Sequence, residues 1–191
     1  RGLGIANYLE ANGGLAAARQ IEPGKRPVES ARAHFTSDGY VFLHTGTQST
    51  GQRHSAVAKP FAEKLGLDLE SILFAEGDTS AVAEGGGTGG SKSTLTSSLA
   101  ILALGDKVID IARRKIAELW GCSSGDIVYE DGMFRLSERN LTMTIPEIAT
   151  QFAGILDCEA RIEVTAGTFG SGCHICEVEI DRDTGEIEVA A

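Results

Sequence analysis

The sequence predicts an α+β fold in which a mixed or largely antiparallel sheet packs against one long and one or two shorter helices. Two observations predict this class. Short alternating apolar runs are joined by Asp-Gly turns, as in antiparallel hairpins, and one long stripe with helical period runs from about Ser93 to Trp120. Strands and helices do not follow strict β-α-β alternation. We expect residues 1–191 to form a single domain, since this length allows a real core.

The strands are predicted from alternation and from the turns between them. Leu3 and Ile5 alternate in the first run, and runs 28–36 and 39–46 flank Ser37-Asp38-Gly39. We further expect a short buried strand within 70–78, a second hairpin turning at Asp131-Gly132, and closing strands at 160–166 and 176–190, the last folded at 181–186.

Three helices are predicted. The first follows Gln52, where Val57, Phe61 and Leu65 are four residues apart, and Pro60 predicts a kink or a late start. The long helix carries two apolar stripes, so its first half should be deeply buried. The first stripe comprises Leu95, Leu99, Leu102, Ile109, Ala112, Ile116 and Trp120, and the second comprises Ile101, Leu104, Val108 and Ile111. Gly105-Asp106 is the point where it could bend or divide. The third starts at Thr144, with Glu147 completing a capping box.

Composition excludes several classes of function. The net charge of −10 argues against binding DNA or RNA, which requires clustered Lys and Arg. No apolar run is long enough to span a membrane, and four cysteines in 191 residues do not make a disulfide framework, so the reducing cytoplasm is the expected location. The abrupt ends, RGLGIANYLE and GEIEVAA, suggest a piece of a larger protein or a subunit without its neighbours.

Two glycine-bearing polar loops each lead into a predicted helix. The first spans Thr45 to Gly51, and in the second, Gly85 to Gly90, five of six residues are glycine. Backbone N–H groups in such loops, together with the helix dipole, can surround a phosphate or another anionic group. The alternative for the second loop is a flexible surface loop without a ligand.

Three near-motifs have simpler interpretations. Aligned on Lys92, the second loop lacks the glycine that a P-loop places before its lysine, and the preceding strand ends too far upstream, near Glu76. The Gly-x-Gly at the N-terminus lacks the third glycine of a dinucleotide fingerprint. Cys173 and Cys176 would point to opposite faces of a strand, so we expect core cysteines instead of a zinc site.

The order of these segments resembles a known family. Residues 46–94, GTQSTGQRHSAVAKPFAEKLGLDLESILFAEGDTSAVAEGGGTGGSKST, are similar to the molybdopterin-binding subunit of the xanthine dehydrogenase and aldehyde oxidase family, which includes the large chain of aerobic carbon monoxide dehydrogenase. The segments RGLGIANYLEANGG and HICEVEIDRDTGEIEV resemble strands near the start and the end of the same cofactor domain. The resemblance therefore covers nearly the whole chain, in family order.

The resemblance implies an oxidoreductase that binds molybdenum on molybdopterin, in some members as a cytosine dinucleotide. It also implies partners: the remaining cofactor domains, and iron–sulfur and flavin subunits or domains. The residues that match the family's cofactor-binding positions are Gly51, Gln52, Thr88, Gly89, Gly90, Ser91, Lys92 and Ser93. The family's catalytic glutamate lies beyond this chain, so no catalytic residue is assigned within it. We expect the chain alone to be inactive and to carry no molybdenum.

Two departures from the family pattern keep other classes of function open. Arg53 replaces the glycine of the family's Gly-Gln-Gly-His, where a side chain could crowd the cofactor, and Val57 replaces a common threonine. A binding or assembly module that keeps the fold without the cofactor is therefore the alternative. The hypothesis that the chain is a nucleotide hydrolase is supported only by the partial match to a P-loop.

Overall fold

The central sheet of the computed structural model has four strands in the order β4 (Ile72–Glu76), β3 (Val41–Thr45), β2 (Val28–Phe35) and β8 (Cys158–Glu163). The structure describes residues 1–13, 26–52, 54–82, 84–165 and 167–191, without the side chains of His54 and Ser55. Strand β2 (Val28–Phe35) pairs antiparallel with β3 (Val41–Thr45) and with β8 (Cys158–Glu163), whereas β4 (Ile72–Glu76) is parallel to β3. The sheet is thus mixed, and the hairpin expected at Ser37-Asp38-Gly39 is confirmed.

Helix α1 (Ala58–Leu65) connects the two parallel strands. A single 3₁₀ turn, His54–Val57, precedes it, so Pro60 is the third residue of the helix and the late start is confirmed. Such a crossover is the usual way to join parallel strands. Strand β4 lies at the edge of the sheet, and of its five residues only Ile72 is buried. The expectation of a buried strand there was therefore wrong for most of its length.

Helix α2 (Ser93–Trp120) is one uninterrupted helix that packs across β2, β8 and α1. It does not divide at Gly105; a methyl group there would lie 2.8 Å from Lys64 Cδ, so glycine permits the close approach of α1. The buried face of its first half carries Thr96, Ser97, Ala100, Ile101 and Leu104. Leu99, by contrast, is 40% exposed, so that part of the predicted buried stripe was wrong.

A small second sheet lies beyond the long helix. It comprises β5 (Val128–Glu130), β6 (Met133–Leu136) and β7 (Leu141–Thr144), followed by helix α3 (Ile145–Gln151). Asp131 and Gly132 have φ values of 50° and 76°, the left-handed pair of a tight hairpin turn. Thr144 and Glu147 form the predicted capping box at the start of α3.

The third sheet is an antiparallel ribbon of β1 (Gly2–Gly13), β9 (Gly167–Ile180) and β10 (Ile187–Val189). Its Cys173 and Cys176 pair with Asn7 and Gly4, which places them on opposite faces as predicted. Both cysteines are exposed, however, so the expectation that they lie in a core was wrong. The described residues contain no cluster of three His, Cys, Asp or Glu suited to a metal ion.

The apolar core lies between the central sheet and the two helices α1 and α2. Its largest fully buried members include Phe61, Leu43, Ile101 and Leu104. Within the described part of the chain, no helix is both long and apolar enough to cross a membrane.

Candidate functional site

Three loops meet at the end of the central sheet where the parallel strands β3 and β4 have their C-terminal residues. The first loop follows Thr45, the second begins after Glu76, and the third is residues 85–92, which contains the glycine-rich segment Gly85 to Gly90 of the sequence and leads into Ser93 at the start of α2. Parallel neighbours end at the same edge of a sheet, so the loops that follow them are close in space. These are the segments in which the sequence concentrates its glycines.

The first and third loops touch through their backbones. A methyl group on Gly46 would lie 2.4 Å from Gly85 Cα, and one on Gly85 would lie 2.5 Å from Gly46 Cα. Two residues farther along, the Gln48 N–H donates to Thr88 Oγ1 at 2.9 Å, and Thr88 Oγ1 donates to the Gln48 carbonyl at 2.5 Å. Only glycine allows the first contact, and the paired hydrogen bonds fix the register of the two loops.

The first loop is also tied to the second loop and to α2. The Thr47 hydroxyl, fully buried, lies 2.7 Å from Ser97 Oγ on α2. The Ser49 N–H donates to Glu76 Oε2 at 2.9 Å, and a methyl group on Gly77 would lie 2.9 Å from Gln48 Oε1. These contacts hold the first loop against the N-terminal half of the long helix.

A buried pair of charges lies beneath the contact between the loops. Glu29, on β2, is fully buried, and its Oε2 accepts from the Gly86 N–H at 3.1 Å. Lys92 is 4% exposed, and its Nζ donates to the Gly86 carbonyl at 2.7 Å. Burial raises the pKa of the Glu29 carboxyl, opposed by the N–H groups of Gly86, Ser30 and Gly46 and by the charge of Lys92. Both polar main-chain groups of Gly86, its N–H and its carbonyl, are thus held by buried side chains.

The open side of the third loop presents backbone N–H groups. Gly87, Gly90 and Ser91 have φ values of 61°, 59° and 51°, and among the described residues none accepts a hydrogen bond from the N–H groups of residues 87–91. Helix α2 begins next to them with no side-chain cap and no acidic residue in its first turn. Left-handed and right-handed residues in series direct N–H groups toward one side, which favours an anion.

The predicted site residues occupy two different environments. In the third loop, Thr88 and Gly89 are half-buried, Gly90 and Ser91 are exposed, and Lys92 and Ser93 are buried. Ser91 Oγ donates to Glu10 Oε1 on β1 at 2.7 Å, which links this loop to the ribbon. Lys92 Nζ points inward, to Gly86. A P-loop lysine reaches instead to the bound phosphates, so this geometry does not favour a nucleotide hydrolase.

Gly51 and Gln52 lie in the exposed turn of the first loop. Gly51 has a φ of 113°, a conformation that favours glycine. The Gln52 side-chain oxygen accepts from the Thr50 N–H at 2.5 Å and from Thr50 Oγ1 at 3.0 Å. The first loop as a whole is therefore adjacent to the third, whereas the amide of Gln52 bonds within its own loop. The predicted crowding by Arg53 lies outside the described residues.

A small cavity of about 200 Å³ lies below the junction of the loops. Its lining includes Thr45, Gly46, Gly77, Asp78 and Gly85. The Ser80 hydroxyl and N–H hydrogen-bond to Asp78 and hold the pKa of its carboxyl below the usual range, so the cavity carries a negative charge. An anionic group consequently fits the N–H groups of the third loop better than it fits this cavity.

Residue types and conformations at the junction fit a phosphate-bearing group with hydrogen-bonding edges. The third loop offers N–H donors in a segment with three left-handed residues, and no described residue lies within 4 Å of a methyl group added at Gly87, Gly89 or Gly51. The backbone can therefore approach a ligand closely at these three positions. Gln52 adds a side-chain amide whose nitrogen can donate, since its oxygen already accepts twice from Thr50.

Sequence reasoning missed the polar residues that hold this arrangement from beneath. Alternation along β2 places Glu29 on the same face as Ala31, Ala33 and Phe35, so its burial could have been predicted. The sequence around Thr47 and Gln48 gave no comparable indication, because their partners, Ser97 and Thr88, lie 50 and 40 residues away in the chain.

Comparison with known proteins gives a consistent result. The sequence model of the family described as "Molybdopterin cofactor-binding domain" matches residues 1–191. The carbon monoxide dehydrogenase large chain of Hydrogenophaga pseudoflava is 29% identical over 198 aligned residues, covering 98% of this chain and 25% of the relative. The nicotine 6-hydroxylase large subunit of Paenarthrobacter nicotinovorans is 28% identical, and the match covers 98% of this chain and 25% of that subunit.

The fold also agrees with the fold of a solved structure. A crystal structure of a copper- and molybdenum-containing carbon monoxide dehydrogenase, in the carbon monoxide-reduced state, superposes with a TM-score of 0.78 and 26% identity. The match covers 99% of this chain and 25% of that chain. The chain therefore spans about a quarter of the length of the relatives that it matches.

Proposed function

Since the chain belongs to the molybdopterin cofactor-binding domain family, we propose that it supplies part of the binding site for a molybdopterin cofactor in a molybdenum hydroxylase-type oxidoreductase. The third loop, residues 85–92, carries the proposal: Gly87, Gly90 and Ser91 are left-handed, no described residue accepts from the N–H groups of residues 87–91, and the loop leads into α2, whose start has no side-chain cap. A phosphate of the cofactor, in the simple or the cytosine dinucleotide form, would accept from these groups.

Each loop has a separate task in this proposal. Residues 87–91 bind the phosphate through the backbone, and Thr88 keeps the third loop in register with Gln48. Gln52 orients a pterin edge through its amide. When bound, the cofactor supplies the molybdenum centre at which oxidation and reduction take place. The contribution of this chain is binding and orientation, and its catalytic partner residues belong to other segments.

We also propose that the cofactor site is completed by further cofactor domains and that iron–sulfur and flavin units carry the electrons away. The ribbon supports contact with such partners. Its side chains Leu3, Ile5, Leu9 and Ile175 are 62–68% exposed and lie on one face of β1 and β9. Apolar patches of this kind mark interaction surfaces.

The test uses the intact protein, purified from molybdenum-supplied cells and assayed for molybdenum and for the fluorescent oxidised pterin. We expect about one molybdenum per chain. A matched pair of variants then tests the loop: Gly87 and Gly121 both have a φ of 61°, and at either position an added methyl group meets none of the described residues within 4 Å. Gly87→Leu fills the open side of the third loop, whereas Gly121→Leu lies at the far end of α2.

Gly87→Leu is expected to weaken cofactor binding about tenfold, the effect of about 1.4 kcal/mol, so that it loses molybdenum during dialysis, while Gly121→Leu retains it. Equal molybdenum per chain in Gly87→Leu and Gly121→Leu would show that the third loop does not hold the cofactor. If the intact parent protein contains no molybdenum and no pterin, the cofactor-free binding or assembly module becomes the better interpretation.

A further inference from the structure

The carboxylate of Glu29 faces both glycine loops from beneath. Its Oε2 accepts from the Gly86 N–H at 3.1 Å, and a methyl group on Gly46 would lie 2.7 Å from its Oε1. Oε1 has no hydrogen-bond partner of good geometry among the described residues, although the nearby Gly46 N–H favours the ionised form of the carboxyl. A side chain from β2 thus reaches the two segments whose backbones touch.

Lys92 holds the carbonyl of the same residue, Gly86. Its Nζ donates to the Gly86 carbonyl at 2.7 Å, and it is attracted electrostatically to Glu29. Gly86 leaves little room between the two charges: an added methyl group would lie 3.3 Å from Lys92 Nζ and 3.4 Å from Glu29 Oε2. The position of Gly86 is therefore determined by two buried side chains, one on β2 and one at the residue that precedes α2.

We infer that Glu29 is a positioning residue that sets the spacing of the first and third loops by holding Gly86 beside Gly46. The inference rests on the proposed function for its consequence, since the spacing of the loops decides where the N–H groups of residues 87–91 meet a phosphate. Glu29 is itself fully buried and so acts on a ligand only through the loops.

The length of the side chain matters because the carboxylate must reach past the sheet edge. Glu29→Asp keeps the charge and both acceptor oxygens but withdraws them by one methylene, so the bond to Gly86 is lost unless the loops move. Glu29→Gln keeps the length but replaces one acceptor by a donor, so only one of Gly46 and Gly86 can face an oxygen. Both variants keep a polar side chain of similar volume opposite Lys92.

A matched control is available two residues before Gly86. Glu84 is exposed and pairs with Arg161 at 2.7 Å, and within the described part of the chain no hydrogen bond joins its side chain to Gly86. Glu84→Asp and Glu84→Gln therefore make the same chemical changes at the edge of the third loop, and they are expected to leave its position unchanged.

The experiment measures amide hydrogen exchange and molybdenum content in the intact protein. In Glu29→Asp, the Gly86 amide should exchange about tenfold faster, as expected for the loss of one hydrogen bond to a charged acceptor. The Gln48 amide, which depends on Thr88 across the loop junction, should also exchange faster. Glu29→Gln should accelerate exchange at Gly46 or at Gly86. Molybdenum per folded protein should fall in both Glu29 variants and in neither Glu84 control.

Unchanged exchange at Gly46, Gly86 and Gln48 in both Glu29 variants would overturn the inference, whatever the molybdenum content. Equal molybdenum in parent and Glu29 variants, despite loosened loops, would overturn its consequence for the cofactor. If even the parent protein lacks molybdenum while exchange accelerates as expected, the positioning role stands and the proposed function fails.

Discussion

Replacing Gly46 by alanine tests whether the close approach of the two loops depends on glycine. The added methyl group would lie 2.4 Å from Gly85 Cα and 2.7 Å from Glu29 Oε1. Carbon atoms in contact are normally about 3.5–4.0 Å apart, so the backbones must separate by about 1 Å. The clash involves main chain on one side and a buried carboxylate on the other, and neither can rotate away.

Overpacking of this kind costs about 1–3 kcal/mol, and we expect a loss of about 2 kcal/mol in the free energy of unfolding. For a chain of this size that corresponds to a fall of about 4–8 °C in the melting temperature. Urea unfolding followed by circular dichroism would measure the change, with the m-value confirming that the unfolded state is unaltered.

Gly89→Ala is the matched control, because an added methyl group there meets no atom of the described chain within 4 Å and no left-handed φ is required. Its stability should stay within about 0.5 kcal/mol of the parent, the usual range for a surface substitution. A Gly46→Ala variant as stable as Gly89→Ala, with unchanged exchange at the Gln48 amide, would refute the argument from close approach.

Three further predictions follow. The 191-residue chain expressed alone should be inactive and lack molybdenum, because cofactor contacts are spread over several segments; stoichiometric molybdenum would contradict this. Gln52→Ala should weaken cofactor retention in the intact protein by about 1–3 kcal/mol if the lost bonds are buried, with an unchanged melting temperature as control. Burial raises the pKa of the Cys158 thiol to about 11, so at pH 8 iodoacetamide should label the exposed Cys173 and Cys176 first. The thiolate fraction of Cys158 is about 100-fold below that of a thiol two pKa units lower, and equally fast labelling of all three would contradict the burial.

Local signals predicted most of the secondary structure. Hairpin turns and the capping box depend on residues a few positions apart, so Asp131-Gly132 and Thr144 could be assigned from sequence. The bounds of α2 followed from its apolar period and from the glycines on either side of it. These features require no knowledge of the partner to which an element packs.

The errors arise where burial depends on such a partner. Leu99 is exposed and Ser97 buried because the start of α2 packs its polar face on Thr47, and hydrophobic periodicity cannot predict a polar neighbour. Cys173 and Cys176 lie on a ribbon whose two faces are largely uncovered within the described residues, so alternation gave their faces correctly but not their exposure.

The candidate site follows from a single crossover. In the described strands, β3 and β4 are the only parallel pair, and α1 connects them. An antiparallel arrangement would have placed the loops after Thr45 and Glu76 at opposite edges of the sheet. The parallel pair places both at one edge, where the third loop can turn back past Gly77 and contact Gly46 before α2 begins. Because β2 is antiparallel to β3, its N-terminal end lies at that same edge, which is why Glu29 can reach the loops from within the sheet. The site therefore depends on strand direction, a property that the alternating pattern of each strand does not encode.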